Sequence, residues 1–239
     1  MINVQTIKFS YKDKSTKVFE DLCFQLEQNR VYGLLGENGT GKSTFLKCLL
    51  NEEDFAGKIQ YGPTVKSGYL PQTIYFAHPE RTLYDTMLYE KNCSPQVARD
   101  RLGQFMFSGE DVFKQVQNLS GGEKSRLRLC MLMDEKINLL ILDEPTNHLD
   151  IASREWVEAA IEEFEGALLF VSHDRYFIEK FAERIWLLED GNVRDFPCGY
   201  SKYRSIMEHE AMQKAQVHTA PKQKKDRPKG DLFYWNQLS

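Results

Sequence analysis

Apolar residues fall into short runs over the first 35 positions, "INVQTIKFSY", "VFEDLCFQLE" and "RVYGLLG", each closed by charged or turn residues. Such runs predict three strands. "KSTFLKCLL" (42–50) then has helical spacing, and "GKIQYG" and "SGYLPQ" predict two short strands bounded by glycine and proline. Residues 79–118 change character. There "LYDTMLYE", "SPQVARDRLGQF" and "EDVFKQ" predict three short amphipathic helices, the second opened by Ser94 as cap with Pro95 in its first turn. Alternation follows: helix in "KSRLRLCMLMDE", strand in "INLLILD", helix in "SREWVEAAIEEF", strand in "ALLFVS", helix in "DRYFIEKFA", strand in "RIWLLED". Fully apolar strands alternating with helices imply an α/β fold whose core sheet is mostly parallel and covered on both faces.

Composition narrows the picture. The chain has 239 residues, and its net charge of −4 excludes a generic nucleic-acid binder, so any basic function must be local. Its five cysteines are widely spaced, with no C-x-x-C pair, and read as reduced thiols of a cytoplasmic protein rather than a disulfide or zinc framework. No stretch approaches the ~20 apolar residues of a membrane span, and the N-terminus lacks a signal-peptide pattern. Direct membrane insertion is therefore not expected. From about Tyr200 the chain is charged and helix-like. It passes into "APKQKKDRPKG", too poor in apolar residues to fold and expected to be a disordered linker, and ends in "DLFYWNQLS". Lys214, Lys222, Lys224, Lys225, Arg227 and Lys229 make this segment basic. It is either a solvated run or an attachment to RNA phosphate.

Two stretches carry chemistry. "GENGTGKS" (36–43) fits G-x-x-x-x-G-K-[ST] and lies between a predicted strand and a predicted helix. Glycines let successive N–H groups point inward, and the helix N-terminus adds its positive end. Lys42 would supply a charge for the β- and γ-phosphates, and the Ser43 hydroxyl would reach a magnesium ion. "LLILDEPTNHLD" (139–150) aims an apolar strand at Asp143 and Glu144. The C-terminal ends of such strands are where open α/β sheets bind ligands. Asp143 can hold magnesium, and Glu144 can accept a proton from an attacking water.

"LSGGE" (119–123), "YLPQ" ending in Gln72, and "VSHD" containing His173 fall in a fixed order around these two motifs. With them, residues 1–200 closely resemble the ATP-binding-cassette (ABC) ATPases. The resemblance implies a P-loop NTPase cassette with an N-terminal antiparallel β part and a small helical subdomain at about 79–135. It implies an ATPase domain over 1–199 and a C-terminal extension over 200–239. The implied cofactors are ATP and Mg2+. Residues Gly36, Glu37, Asn38, Gly39, Thr40, Gly41, Lys42, Ser43 and Thr44 would form the phosphate loop. Tyr11 would stack on adenine, though it also suits a core tyrosine at a strand end. Ser43, Gln72 and Asp143 would serve the metal, with Glu144, His173 and Gln72 as the catalytic group. Two cassettes would face head to tail, each ATP being capped by Ser120, Gly121 and Gly122 of the other, and Asp150 would lie across the interface.

The subfamily is legible as well. "DEPTNHLD" stands where transporter cassettes usually read "DEPTSALD", and "FVSHDRYFI" and "GYSKYRSIMEHEA" also resemble the ABC-F branch. That branch implies a soluble factor acting on the ribosome and its RNA, in translation or antibiotic resistance. The alternative is the ATP-binding subunit of a membrane transporter. A third reading is a binding module whose slow hydrolysis times release. Such factors normally carry two cassettes, the first with an arm between its Q-loop and signature. The short span from Gln72 to Leu119 therefore predicts the second, C-terminal cassette, with a single-cassette protein as the alternative.

Overall fold

The computed structural model describes residues 2–10, 17–133, 136–147 and 149–219. The chain divides into two compact units, Met1–Tyr203 and Arg204–Ser239. The first opens with strands β1 (Ile2–Ser10) and β2 (Lys17–Leu26), followed by β3 (Val31–Leu35), helix α1 (Lys42–Leu49), β4 (Ala56–Tyr61) and β5 (Ser67–Leu70). β1 pairs antiparallel with both β2 and β4, giving a three-stranded sheet in the order β2-β1-β4.

Helices α2 (Leu83–Lys91) and α3 (Pro95–Gln104) come next, then two short 3-10 helices at Gly109–Phe113 and Val116–Asn118. The Ser94 hydroxyl accepts from the Val97 amide and Pro95 opens α3, as its sequence predicts. "EDVFKQ", expected as a helix, is 3-10 instead: Asp111 N–H bonds Ser108 and Lys114 N–H bonds Asp111, and Lys114 is already extended. Five residues closed by i→i+3 bonds have no room for a second α-turn. α4 (Gly121–Met133) begins three residues before the expected start, because Ser120 and Glu123 form a capping box. Leu83, Met87, Leu102, Leu127 and Met131 join the apolar core of this helical part.

The chain then alternates through β6 (Leu139–Asp143), α5 (Ile151–Glu162), β7 (Ala167–Val171), α6 (Arg175–Phe181) and β8 (Arg184–Glu189). These strands join β3 and β5 in one sheet, ordered β5-β6-β7-β3-β8 and parallel throughout. Every position of β6 and β7 is buried, which is why both read as unbroken apolar runs. A sixth strand, β9 (Asn192–Phe196), returns antiparallel beside β8 and was not among the expected elements. Its signal was Asp190-Gly191. Glu189 pairs with Asn192, and both loop residues have positive φ (49° and 73°), the two-residue turn that Asp-Gly favours.

Helix α7 (Tyr200–Thr219) starts in the first unit, where Tyr203 meets Phe196 edge-on, with ring centres 5.0 Å apart. In the second unit its described part carries an Arg204–Glu208 pair at 2.9 Å, one turn apart. The basic positions from Lys222 to Lys229, the closing aromatic segment and Tyr11 lie outside the described residues.

Trp186 on β8 ties the layers together. Its ring lies 4.7 Å from Phe24 of β2, 4.6 Å from Tyr32 of β3 and 6.5 Å from Phe45 of α1, and it is 1% exposed. Its indole N–H is buried with no hydrogen-bond partner among the described residues, so the ring contributes through packing. Trp186→Ala should cost about 3–5 kcal/mol in denaturant unfolding. Trp186→Phe should cost much less, since it keeps most of the volume and removes the unsatisfied donor. Equal losses for the two variants would contradict this packing role.

Candidate functional site

β3 delivers the chain into the glycine-rich loop at Gly36. A Cβ there would meet the Leu188 carbonyl at 2.7 Å and the Thr40 hydroxyl at 2.8 Å, so only glycine fits. Gly41, at φ 96°, caps α1 in a left-handed conformation that suits glycine. The Thr40 hydroxyl donates to the Glu37 carbonyl (2.9 Å) and holds the loop's bend. Glu37, Asn38 and Gly39 are exposed at its tip, whereas Thr44 is buried in the first turn of α1. The Lys42 ammonium folds back over the loop and donates to the carbonyls of Gly36 (2.8 Å) and Glu37 (2.9 Å). Burial pulls its pKa below the ordinary lysine value, against the opposing pull of Glu144 and Asp143.

Asp143, 4% exposed, ends β6. Burial pushes its carboxyl above the ordinary range, opposed by hydrogen bonds from the Ser43 and Tyr69 hydroxyls and by the charge of Lys42. Tyr69 was not a sequence candidate. A half-buried strand tyrosine before "LPQ" gives no signal until β5 is seen beside β6. Glu144 follows in the left-handed region (φ 53°). One carboxylate oxygen accepts from the His173 amide (3.3 Å), and the other lies 3.4 Å from His173 Nε2. Burial raises the Glu144 carboxyl as well, opposed first by His173.

A cleft of about 550 Å³ brings together Lys42, Ser43, Gln72, Asp143, Glu144 and His173. Asn38, Gly39, Gly41 and Thr44 also line it, as does Asn147 of "DEPTNHLD", which was not among the candidate site residues. The Ser43 hydroxyl, the Asp143 carboxylate and the Gln72 amide are oxygen donors of the kind magnesium takes. Magnesium is usually held by one or two carboxylates with phosphate oxygens rather than by a full protein cage. The donor set therefore fits Mg2+, although the described residues contain no group of three or more His, Cys, Asp or Glu placed to hold a metal by themselves. A larger cleft, about 730 Å³ between Phe105, Trp156 and Phe164, has Lys136, Glu163 and Glu165 as its charged groups among the described residues, and no phosphate loop. The smaller cleft is the one that gathers the phosphate loop and the candidate residues.

Ser120, Gly121, Gly122 and Asp150 do not line either cleft. The Ser120 amide donates to the Glu123 carboxylate (2.8 Å) while its hydroxyl accepts from the Glu123 amide (3.3 Å). With its amide taken up in this cap, Ser120 keeps its hydroxyl hydrogen to donate. A Cβ on Gly122 would come within 2.5 Å of the Ser153 hydroxyl, so Gly122 is required by the approach of α4 to α5. Around Gly121 there is open space. Asp150 caps α5, accepting from the Ser153 amide at 2.7 Å.

Residues 19–147, more than half of the chain, match the family model described as "ABC transporter". A "putative ATP-binding protein YdiF" from Bacillus subtilis is 42% identical over 205 residues, covering 85% of this chain and 32% of that protein. "ABC transporter F family member 5" of Arabidopsis thaliana is 36% identical over 212 residues, covering 85% and 30%. The chain thus spans about a third of the length of these relatives. Among solved structures, the ADP- and phosphate-bound dimer of the ATP-binding cassette MJ0796 superposes with a TM-score of 0.72 at 19% identity. The overlap covers 84% of this chain and all of that one, and it supports the fold. No helix among the described residues is long and apolar enough to cross a membrane. The chain belongs to the ATP-binding-cassette family of ATPases, and its relatives place it in the F branch.

Proposed function

We propose that this chain is a cytoplasmic Mg2+-dependent ATPase cassette, whose site is completed by a second cassette. The observation that carries the reading is the meeting of Lys42, Ser43, Asp143, Glu144 and His173 in one cleft. Lys42 and the loop amides hold the β- and γ-phosphates. Glu144, its basicity raised by burial, accepts a proton from the water that attacks the γ-phosphate, and His173 orients it. When bound, Mg2+ neutralises phosphate charge, and Ser43, Asp143 and Gln72 are the residues that hold it. Ser120, Gly121 and Gly122 serve the partner's ATP. Their position outside this cleft supports that division of labour. The partner is a second cassette, in the same longer protein or in a second copy.

The F-branch relatives and the "DEPTNHLD" and "FVSHDRYFI" stretches further support a role for the paired protein on the ribosome rather than on a membrane permease. ATP closes the pair, and hydrolysis removes the charge that ordered the contact.

Calorimetry separates binding from chemistry. Lys42→Ala should lose most ATP affinity, because the β/γ charge is left unpaired. Glu144→Gln should bind ATP as well as the parent or better, yet hydrolyse it ~10²–10⁴-fold more slowly. Asp143→Asn should weaken both. Hydrolysis at the parent rate by Glu144→Gln would remove its role as base.

Because each cassette holds half of a site, the chain alone should be mainly monomeric and a poor ATPase. Light scattering should show any dimer growing with ATP and receding with ADP. A tight dimer indifferent to nucleotide would refute pairing through the site.

In a protein carrying two cassettes, Glu144→Gln should stay closed and co-sediment with ribosomes in ATP. Retention only on vesicles bearing a permease would favour the transporter alternative.

A further inference from the structure

Helices α5 and α6 both start at residues of the candidate site. Asp150 caps α5, and α6 begins after His173 with Asp174 as its cap. An ion network joins the two helices outside the cleft. Arg154 pairs with Asp174, and its Nε lies 3.5 Å from the Glu158 carboxylate. Lys180 reaches Glu158 and Glu162, both at 2.8 Å. Glu158 is 6% exposed, and a carboxylate so buried requires paired cations. Arg154 and Asp174 are more exposed, so their pair adds little to stability. Its placement gives it another use.

Asp174 is held from several directions. One carboxylate oxygen accepts from the amides of Tyr176 (2.9 Å) and Phe177 (3.4 Å), and the other faces Arg154. Its own amide donates to the Ser172 hydroxyl (3.1 Å). Between these two anchored residues sits His173, whose amide and ring both reach Glu144. Arg154 stands one turn into α5, its amide bonded to the Asp150 carbonyl (3.0 Å). Beside Asp150, Ile151 is 78% exposed, so the entry to α5 lies open to a partner.

We propose that Arg154 is a positioning residue: its pair with Asp174 ties the entry of α5 to the loop that carries His173. A shift of that entry on cassette pairing is thereby transmitted to the His173–Glu144 contact. The inference rests on the nucleotide-site reading above, but the tie itself can be tested without hydrolysis.

The full chain, labelled with 15N, reports on His173 through its imidazole resonances, assigned with His173→Gln. Arg154→Met keeps the packing of the stem and removes the charge. Asp174→Asn removes the charge and keeps an acceptor for the helix cap. Without nucleotide, each variant should move the His173 ring signals, and the double variant should move them no further than the larger single change. ATP affinity by calorimetry should stay within about twofold, while single-turnover hydrolysis falls about tenfold and Arg154→Lys recovers part of it. If Arg154→Met does not fold, Asp174→Asn decides alone. Unmoved His173 signals, or additive shifts in the double variant, would overturn the tie whatever the hydrolysis rates. Coupled shifts, with no ATP hydrolysis even in a protein carrying two cassettes, would uphold the tie and overturn the ATPase reading.

Discussion

Asp143 sits 4% exposed at the end of a strand buried at all five positions, and an ionised carboxylate there is costly unless its surroundings compensate. Compensation comes from three directions. Ser43 and Tyr69 offer hydroxyls, and Lys42 offers charge. The same lysine is itself poorly solvated, and it is held in its charged form by Asp143 and Glu144. None of these charges would be tolerable alone, so cation and carboxylates stabilise each other within one cleft. The strand order makes this possible. β6 lies between β5, which brings Tyr69, and β7, which leads to His173; β3, which feeds the loop of Lys42, lies just beyond β7. Four strands distant in sequence thus converge at their C-terminal ends, where open α/β sheets place ligands.

The residues left outside the cleft each have local reasons to be what they are, with one exception. Ser120 and Glu123 close a capping box, Gly122 permits α4 to approach α5, and Asp150 caps α5. Such roles would suit a protein with no partner at all. Gly121 differs. A methyl group at its Cα would meet nothing within 4 Å, so packing within the chain does not require glycine there. Under the proposed pairing, a close approach by the second cassette would give that glycine a reason.

Much of this arrangement was legible in the sequence, for a physical reason that also marks where legibility ended. Parallel strands buried on both faces read as apolar runs, so β6, β7 and β8 stood out, as did the glycine loop between β3 and α1. Local turn and cap chemistry is legible in the same way. Ser94-Pro95 announces α3, and Asp190-Gly191 announces the turn into β9, a strand missing from the expected elements. What could not be read was contact across space. Tyr69 on Asp143 depends on β5 lying next to β6, and Arg154 on Asp174 depends on α5 lying next to α6. Nothing in the spacing of those residues predicts either meeting.

Glu144 shows the same division within one residue. It precedes Pro145, and a residue before proline normally stays extended because the ring crowds its backbone. Here its φ is 53°, a left-handed value that local sequence disfavours. One tertiary bond and one local turn bond hold it there: its amide donates to the Val171 carbonyl (2.9 Å), and its own carbonyl accepts from the Asn147 amide three residues on (3.1 Å). The His173 amide fixes its carboxylate from the neighbouring loop. A left-handed turn redirects the chain straight after β6, so that Glu144 turns toward His173 while Asp143 keeps to Ser43 and Tyr69. The two adjacent carboxylates are thereby given different neighbours, as their proposed roles require. That separation comes from a backbone conformation which only the assembled sheet can enforce.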